Sequence, residues 1–521
     1  MTSDHGTLKM RDKSLGAGLM SKGQSKDDNQ TGKTALTTLR PSEGTIHQWD
    51  EHEIKFHIPA HFAIPDQLGI PLSPRVFTST YFDSQHHRLG KLGLTLRKRM
   101  ERGRGVWQLK IPSGDCRIEL AIESGSRHIP WQFLDLLTAF FRKHEPVQLG
   151  KLRTWRTGRL IQEKKFSAEL ILDSVALLQE NKIIARFQEL ELELKTGQPK
   201  HLKAIQTIVE KAGATAKSLQ PKIFQALHLS YPLVLPAPDA KAPPSDHIQA
   251  RLQEQITQMV LHDPGTRLGR DSEALHQMRV ATRRIRALLR SARGFLDPQW
   301  GKMMRKEVGW IGSRLGEVRD WDVFLESLHQ ESTGMHSPQE EQAFQLILNA
   351  FQEERSMARA RLLEELRSDR YLDLLDTLEN SLTHLPFQSD PPSMVDVVRQ
   401  AFCKLEKFVD STQGQFPKQD LHRTRILVKR ARYTVELAQP LLHKRGKCFL
   451  QKAKCLQDVL GEHQDALVAE NHLISQNLNT RNSEVAFVKG ILVERFRHRQ
   501  HAACQDLSKH WNKLRNIGNK L

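Results

Sequence analysis

Charge that recurs at every second residue constrains this chain more than any other feature. Residues i, i+2 and i+4 of a β-strand share one face. In the segment 51–55 that face carries Glu51, Glu53 and Lys55, while His52 and Ile54 take the other. Arg97 and Arg99 share a face in Leu94-Thr-Leu-Arg-Lys-Arg99, as do Arg117 and Glu119 in Arg117-Ile-Glu-Leu-Ala-Ile-Glu123. Glu169, Ile171 and Asp173 align, and so do Glu189, Glu191 and Glu193, with Leu190, Leu192 and Leu194 behind them. An ordinary half-buried sheet sends such charges to water. Several strands charged on one face with both signs, one of them with three glutamates, ask instead for cations and for one another. If the sheet closes into a barrel, those faces converge on its interior. An interior of Glu with Arg and Lys suits metal-chelated polyphosphate: carboxylates hold Mg2+ or Mn2+, and Arg and Lys neutralise phosphate oxygens.

The rest of the chain divides around this region. Residues 1–44 are polar, without a sustained apolar period, and are expected to form a disordered tail. Alternation from about 47 to 123 predicts strands, including Val106-Trp-Gln-Leu-Lys110, and 131–143 predicts a helix. Strands return near 165–195, broken at Asn181, and a helix covers about 199–212. Pro232, Pro236, Pro238, Pro243 and Pro244 make 232–246 a stiff linker and the expected domain boundary. Beyond it helical periodicity dominates, so the fold class is multidomain α+β with an all-α second half.

The first region resembles the CYTH, or triphosphate tunnel metalloenzyme, family. The resemblance rests on Glu51-x-Glu53-x-Lys55, Tyr81-Phe-Asp83, Leu94-Thr-Leu-Arg97-Lys-Arg99, Lys110, Arg117-x-Glu119, Leu172-Asp173 and Glu189-Leu-Glu191-Leu-Glu193, in the family's order. It implies a domain over 45–231, folded as an eight-stranded antiparallel β-tunnel with flanking helices. It implies metal binding by Glu51, Glu53, Glu189, Glu191 and Glu193. Lys55, Arg97, Arg99, Lys110, Arg117, Arg156 and Lys222 would grip inorganic triphosphate. Arg153 competes with Arg156 for its place. Glu119, Asp173 and Lys55 would be catalytic, with Glu119 or Asp173 positioning the attacking water and Glu169 completing the acidic side. The chain departs from the pattern at Ser174, where a glycine is often near, and at Gln225-Ala226, where Arg-Gly often follows the lysine. One phosphate contact is therefore expected to be lost.

The second half carries a different signature. His276, Arg279, Arg283, Arg286 and Arg290 fall on one helical stripe that no acid interrupts. His422, Arg425, Lys429 and Arg432 repeat it. Leu315-Gly-Glu-Val-Arg-Asp320-Trp-Asp322 follows the first stripe, and Leu460-Gly-Glu-His-Gln-Asp465 follows the second, which reads as an internal duplication. Unbalanced stripes of this kind favour an anion. They resemble the CHAD domain, which implies, over 247–515, duplicated helical bundles with a basic groove for inorganic polyphosphate. Asp320, Asp322 and Asp465 are expected to orient arginines or cap helices.

The whole-chain composition agrees. A net charge of +18, from 78 basic and 60 acidic residues, favours polyanionic partners. Aromatics make up only 6% and do not interleave with the basic stripes, which argues against nucleic acid. Five scattered cysteines without a Cys-x-x-Cys pair fit a reducing compartment. The chain shows neither a long apolar run nor a signal-peptide core, so a cytoplasmic protein without a membrane span is expected. The leading expectation is metal-dependent hydrolysis of inorganic triphosphate to diphosphate and phosphate, with polyphosphate held by the helical domain. The alternatives are a polyphosphate-targeting protein without catalysis, a thiamine or nucleoside triphosphatase, and an adenylate cyclase. The last two need a base pocket, which no sequence feature builds.

Overall fold

A computed structural model describes residues 44–217, 220–229, 238–239, 241–333, 335, 337–413, 415–476 and 482–521. The expected tail lies outside these residues except for Gly44, and so do residues 232–237 and 240 of the proline-rich stretch.

The first half is a closed antiparallel barrel. Its strands are β1 (His47–His57), β2 (Ile70–Pro71), β3 (Arg75–Asp83), β4 (Thr95–Glu101), β5 (Arg104–Ser113), β6 (Cys116–Glu123), β7 (Val147–Glu163), β8 (Phe166–Gln179), β9 (Lys182–Thr196) and β10 (Thr215–Lys217). Eight of them run in the order β1-β6-β5-β4-β3-β7-β8-β9, and β9 pairs back onto β1 to close the wall. β2 and β10 are short additions on β7 and β1. The tunnel architecture expected from the sequence is therefore present. β7 begins well before the strands anticipated near 165, because charges and apolar residues sit on both of its faces and blur the alternation.

Small helices flank the wall: α1 (Arg88–Lys91), α2 (Trp131–Leu136), α3 (Thr138–Phe141), α4 (Leu202–Lys211) and α5 (Lys222–Ala226). The helix expected over 131–143 is thus two short helices meeting at Leu137. Asp83 caps α1: its buried carboxylate accepts from the backbone N–H groups of Leu89 and Gly90, each at 2.9 Å. α5 plugs one end of the tunnel, where Ile223, Phe224 and Ala226 pack with Tyr81, Leu152, Val175 and Leu177.

The second half is helical: α6 (Pro244–Leu261), α7 (Asp263–Leu268), α8 (Glu273–Ser291), α9 (Pro298–Glu331), α10 (Pro338–Arg367), α11 (Asp369–Ser381), α12 (Met394–Ser411), α13 (Lys418–Leu437), α14 (Gln439–Ser475, kinked at His443), α15 (Ser483–Cys504) and α16 (Leu507–Gly518). Residues 244–246, expected in the linker, already form the first turn of α6, since proline fits a helix start. The internal duplication is visible in the packing. α6, α8, α9 and α10 contact in sequence, as α12, α13, α14 and α15 do, and α8 meets α13 while α10 meets α15.

One apolar cluster joins the halves. It runs from the outer barrel wall (Trp107, Leu120, Ile122) through Phe133 and Phe140 to Tyr371, Leu375 and Leu378 of α11. Ion pairs border it. Arg142, almost wholly buried, meets Asp376 and Glu379, the latter at 2.6 Å. Arg88 reaches Glu379 at 2.9 Å, Arg367 reaches Asp135 at 2.6 Å, and Arg270 pairs with Asp50. Among the described residues no helix is long and apolar enough to cross a membrane.

Candidate active site

The alternating charges do converge. Nine Lys and Arg side chains and six glutamates line one cavity of about 270 Å3 inside the barrel. They include Glu51, Glu53, Lys55, Arg97, Arg99, Lys110, Arg117, Glu119, Arg156, Glu169, Glu191, Glu193 and Lys222. Arg156 points inward, whereas Arg153 is exposed on the outer face, so position 156 supplies the interior arginine. Glu189 and Asp173 do not line the cavity. Both carboxylates are fully buried behind it.

Strand register explains the pairings. Lys55 stands opposite Glu191 on β9, and its ammonium reaches that carboxylate at 2.7 Å and Glu189 at 3.2 Å. Lys110 stands opposite Glu119 and pairs with it at 3.0 Å and with Glu51. Glu51 stands opposite Arg117, yet that guanidinium reaches over to Glu53 at 2.8 Å. Glu53 and Glu193 face each other directly, a repulsive placement relieved by Arg117 on one and by Lys195, at 2.6 Å, on the other. Arg156 grips Asp173 with two bonds of 2.7–2.8 Å, the planar fork an arginine offers a carboxylate. Lys222 reaches in from α5 to Asp173 and, at 2.8 Å, to Glu191.

This network sets the protonation states. Burial works against ionised Glu191, but Lys222, Lys55 and Arg156 hold it well below the usual carboxylate range. Lys110 and Arg97 lower Glu119, and Lys222 and Arg156 lower Asp173, again against burial. Glu193, half-buried and less well served, is pushed up by its partial burial against the pull of Lys195. On the opposite side arginines crowd one another. Burial, with Arg97, Arg156 and Arg75 nearby, drags the Arg99 guanidinium down to about 10, although Glu101 opposes this. Arg99 lies over the Phe77 ring at 3.8 Å and bonds Glu101 at 2.6 Å. Arg97 is held by Gln108 at 2.9 Å and the Tyr81 hydroxyl at 3.2 Å.

The residues suit a hard divalent cation in donor chemistry, since the acidic side is all carboxylate oxygen. Glu51 Oε2 is a buried oxygen without a hydrogen-bond partner among the described residues. The five glutamates expected to bind metal are, however, each engaged by a lysine or arginine. Among the described residues no three acidic, His or Cys side chains are placed to share an ion. A cation bound here would have to compete with these lysines and arginines for the carboxylates.

Several contributors escaped the sequence reading. Arg75, Gln108 and Lys195 line the cavity. Lys217 of β10 binds Glu189 at 2.8 Å and donates to Gln225 at 2.9 Å. Gln225 thus holds a lysine where the tunnel pattern has its own arginine. β10 has three residues, too few to show alternation.

The helical stripes also meet. α8 and α13 pack side by side, with Ser291 and Thr434 hydroxyls 3.1 Å apart. Arg279 and Arg283 lie near enough to Arg425 and Lys429 to repel them. Burial and those neighbours pull Lys429 down to about 8. Asp320 orients Arg279 at 3.0 Å, and Asp322 orients Arg355 at 2.6 Å, the role expected of these aspartates. His422 bonds Gln464 at 3.2 Å, and Arg432 turns to Gln457 at 2.6 Å. His276 is pushed down by burial, Arg319, Arg283 and Arg279. Arg286 and Arg290 make no ion pair among the described residues.

Comparison with known proteins agrees with both halves. Residues 50–222 match the CYTH domain model, and residues 250–474 match the CHAD domain model. The chain carries a CYTH domain followed by a CHAD domain. Members of the CYTH family are metal-dependent tunnel enzymes, triphosphatases and cyclases among them. An uncharacterised protein of Mycobacterium tuberculosis (strain CDC 1551 / Oshkosh) is 28% identical over 511 residues, spanning 89% of this chain and 98% of the relative. Among solved structures, PptA from Streptomyces chartreusis is 23% identical, covering 52% of this chain and 100% of its own, at a TM-score of 0.43. The CHAD domain from the plant Ricinus communis is 25% identical, covering 55% and 95%, at a TM-score of 0.44.

Proposed function

We propose that the tunnel hydrolyses inorganic triphosphate to diphosphate and phosphate with Mg2+ or Mn2+, and that the helical half holds inorganic polyphosphate. The observation that carries the tunnel reading is the inward cluster of Arg75, Arg97, Arg99 and Arg156 facing ionised glutamates in a cavity of about 270 Å3. Crowded guanidiniums gain most from a compact ligand with many oxygens. A bound divalent cation would supply charge neutralisation across the phosphate oxygens. Arg97, Arg99, Arg117 and Arg156 grip those oxygens. Lys55, Lys110 and Lys222 trade their carboxylate partners for substrate. Glu119 lines the cavity, stays ionised beside Lys110 and Arg97, and orients the attacking water. Asp173 holds Arg156 and Lys222 in place instead, because both of its oxygens are engaged and it lies behind the cavity wall. All five cysteines are free thiols, which fits work in the cytoplasm.

The test is phosphate release by the purified chain from tripolyphosphate, thiamine triphosphate and ATP, with Mg2+ or Mn2+. Tripolyphosphate should be the best substrate. Glu51→Gln should lower its turnover at least a hundredfold while polyphosphate binding persists. Consumption of ATP alone, with a cyclic product, would overturn the reading.

A further inference from the structure

The groove between the stripes does not end as a purely charged trough. Between α8, α12 and α13 it deepens into a cavity of about 520 Å3, nearly twice that of the tunnel. Seven Lys and Arg side chains line it, and no carboxylate does. One wall is different: Pro392, Val397, Ala401, Ile426, Leu427 and Tyr433 present apolar surface. Gln400, Ser291 and Thr434 set a few polar groups into that wall.

We propose that this cavity is a nucleotide site, with the base against the apolar wall and the phosphates on Arg283, Arg286, Arg290 and Lys429. An inorganic phosphate chain has nothing to place on an apolar wall, and burying phosphate oxygens there costs solvation without return. A simple alkyl phosphate would use the wall but offer nothing to the Gln400 amide, whereas the Ser291 and Thr434 hydroxyls already bond each other and the Arg430 carbonyl. A base has two apolar faces and a polar edge, so it meets both kinds of lining group. Tyr433 and the arginine planes offer the flat surfaces on which bases stack. The volume lies within the range of pockets that enclose ligands of this size. The cations need an anion independently: Arg290 is pushed down by burial and by Arg430, Arg305 and Arg286. The proposal rests in part on the reading of the groove as an anion site, since four cations serve both ligands.

The test uses the full chain in isothermal titration with β,γ-imido-ATP, which resists hydrolysis, and separately with long-chain inorganic polyphosphate and decyl phosphate. Wild type should bind the nucleotide. Ala401→Phe, which fills the wall, should weaken it at least tenfold and change polyphosphate affinity less than twofold. Arg286→Ala should weaken both. Nucleotide binding that Ala401→Phe leaves intact, or that Arg97→Ala in the tunnel abolishes, overturns the proposal, as does decyl phosphate binding in the nucleotide's place. If polyphosphate binds and nucleotide does not, only this proposal fails; if neither binds, the anion reading of the groove fails with it. Photolabelling of wild type with 8-azido-ATP needs no variant: labelled peptides from 392–434 support the site, and labelling confined to tunnel peptides rejects it.

Discussion

Lys429 shows how one side chain reports on its surroundings. Its ammonium sits among Arg425, Arg283 and Arg279, and its proton is held at only about 8. A polyanion binds best while Lys429 is charged, and binding in turn raises its pKa. Affinity should therefore be full below pH 8 and fall as pH rises through that value. Fluorescence anisotropy of labelled polyphosphate at fixed salt should show roughly tenfold weaker binding at pH 9.5 than at pH 7, the effect of about one charge-assisted contact. Lys429→Arg keeps its charge throughout and should flatten the profile. A profile that stays steep in that variant would place the titrating group elsewhere. The same sign logic reverses in the tunnel. Glu119, Asp173 and Glu191 are held ionised by their cations, so their contribution to stability is present at neutral pH and is lost as acid protonates them.

Among the elements, α5 has the most influence for its length. Phe224 is buried in the tunnel plug, and its ring occupies the space a Cβ on Gly90 would need, with ring carbons less than 2 Å from that position. Phe224→Ala should cost about 3–5 kcal/mol in urea unfolding, the usual range for emptying a large aromatic site. It should also loosen Lys222, which α5 aims at Asp173 and Glu191, and so lower turnover beyond the stability loss. A variant with full activity after its stability is corrected would separate the plug from the site. How much of this was legible beforehand follows the length of each pattern. Long strands with alternating charge, such as the run from Glu189 to Glu193, announced both their fold and their inward face. Arg156 was legible as one of two candidates, and strand register chose between them. α5, with five residues, and β10, with three, carry no periodicity to read. The retreat of Asp173 and Glu189 behind the cavity wall was hidden for another reason: alternation tells which face a residue takes, not how deep in the barrel it sits.

Considered whole, the molecule is joined across its seam. The expected linker marked a change of fold class but not a line of mechanical independence, because apolar packing and ion pairs cross it. Peptide-resolved hydrogen exchange in rising urea should give one midpoint for β5–β6 and α11–α13. Arg88→Ala with Arg142→Ala should split it, since both arginines anchor Glu379 and Asp376. Separate midpoints already in wild type would refute a joined body. The duplication in the helical half was readable from its His-Arg stripes, whereas the seam was not: its residues belong to α2, α3 and α11, and no local pattern says that two surfaces are complementary.

That seam has a consequence for how the chain is made. Synthesis runs from the N-terminus, so the barrel leaves the ribosome first, with Phe133 and Phe140 on α2 and α3 still waiting for α11. At ordinary elongation rates the intervening chain takes on the order of ten seconds or more to appear. For that interval a nearly finished barrel shows an unmatched apolar flank to the crowded cell, and it is then that the nascent chain most needs protection from its neighbours.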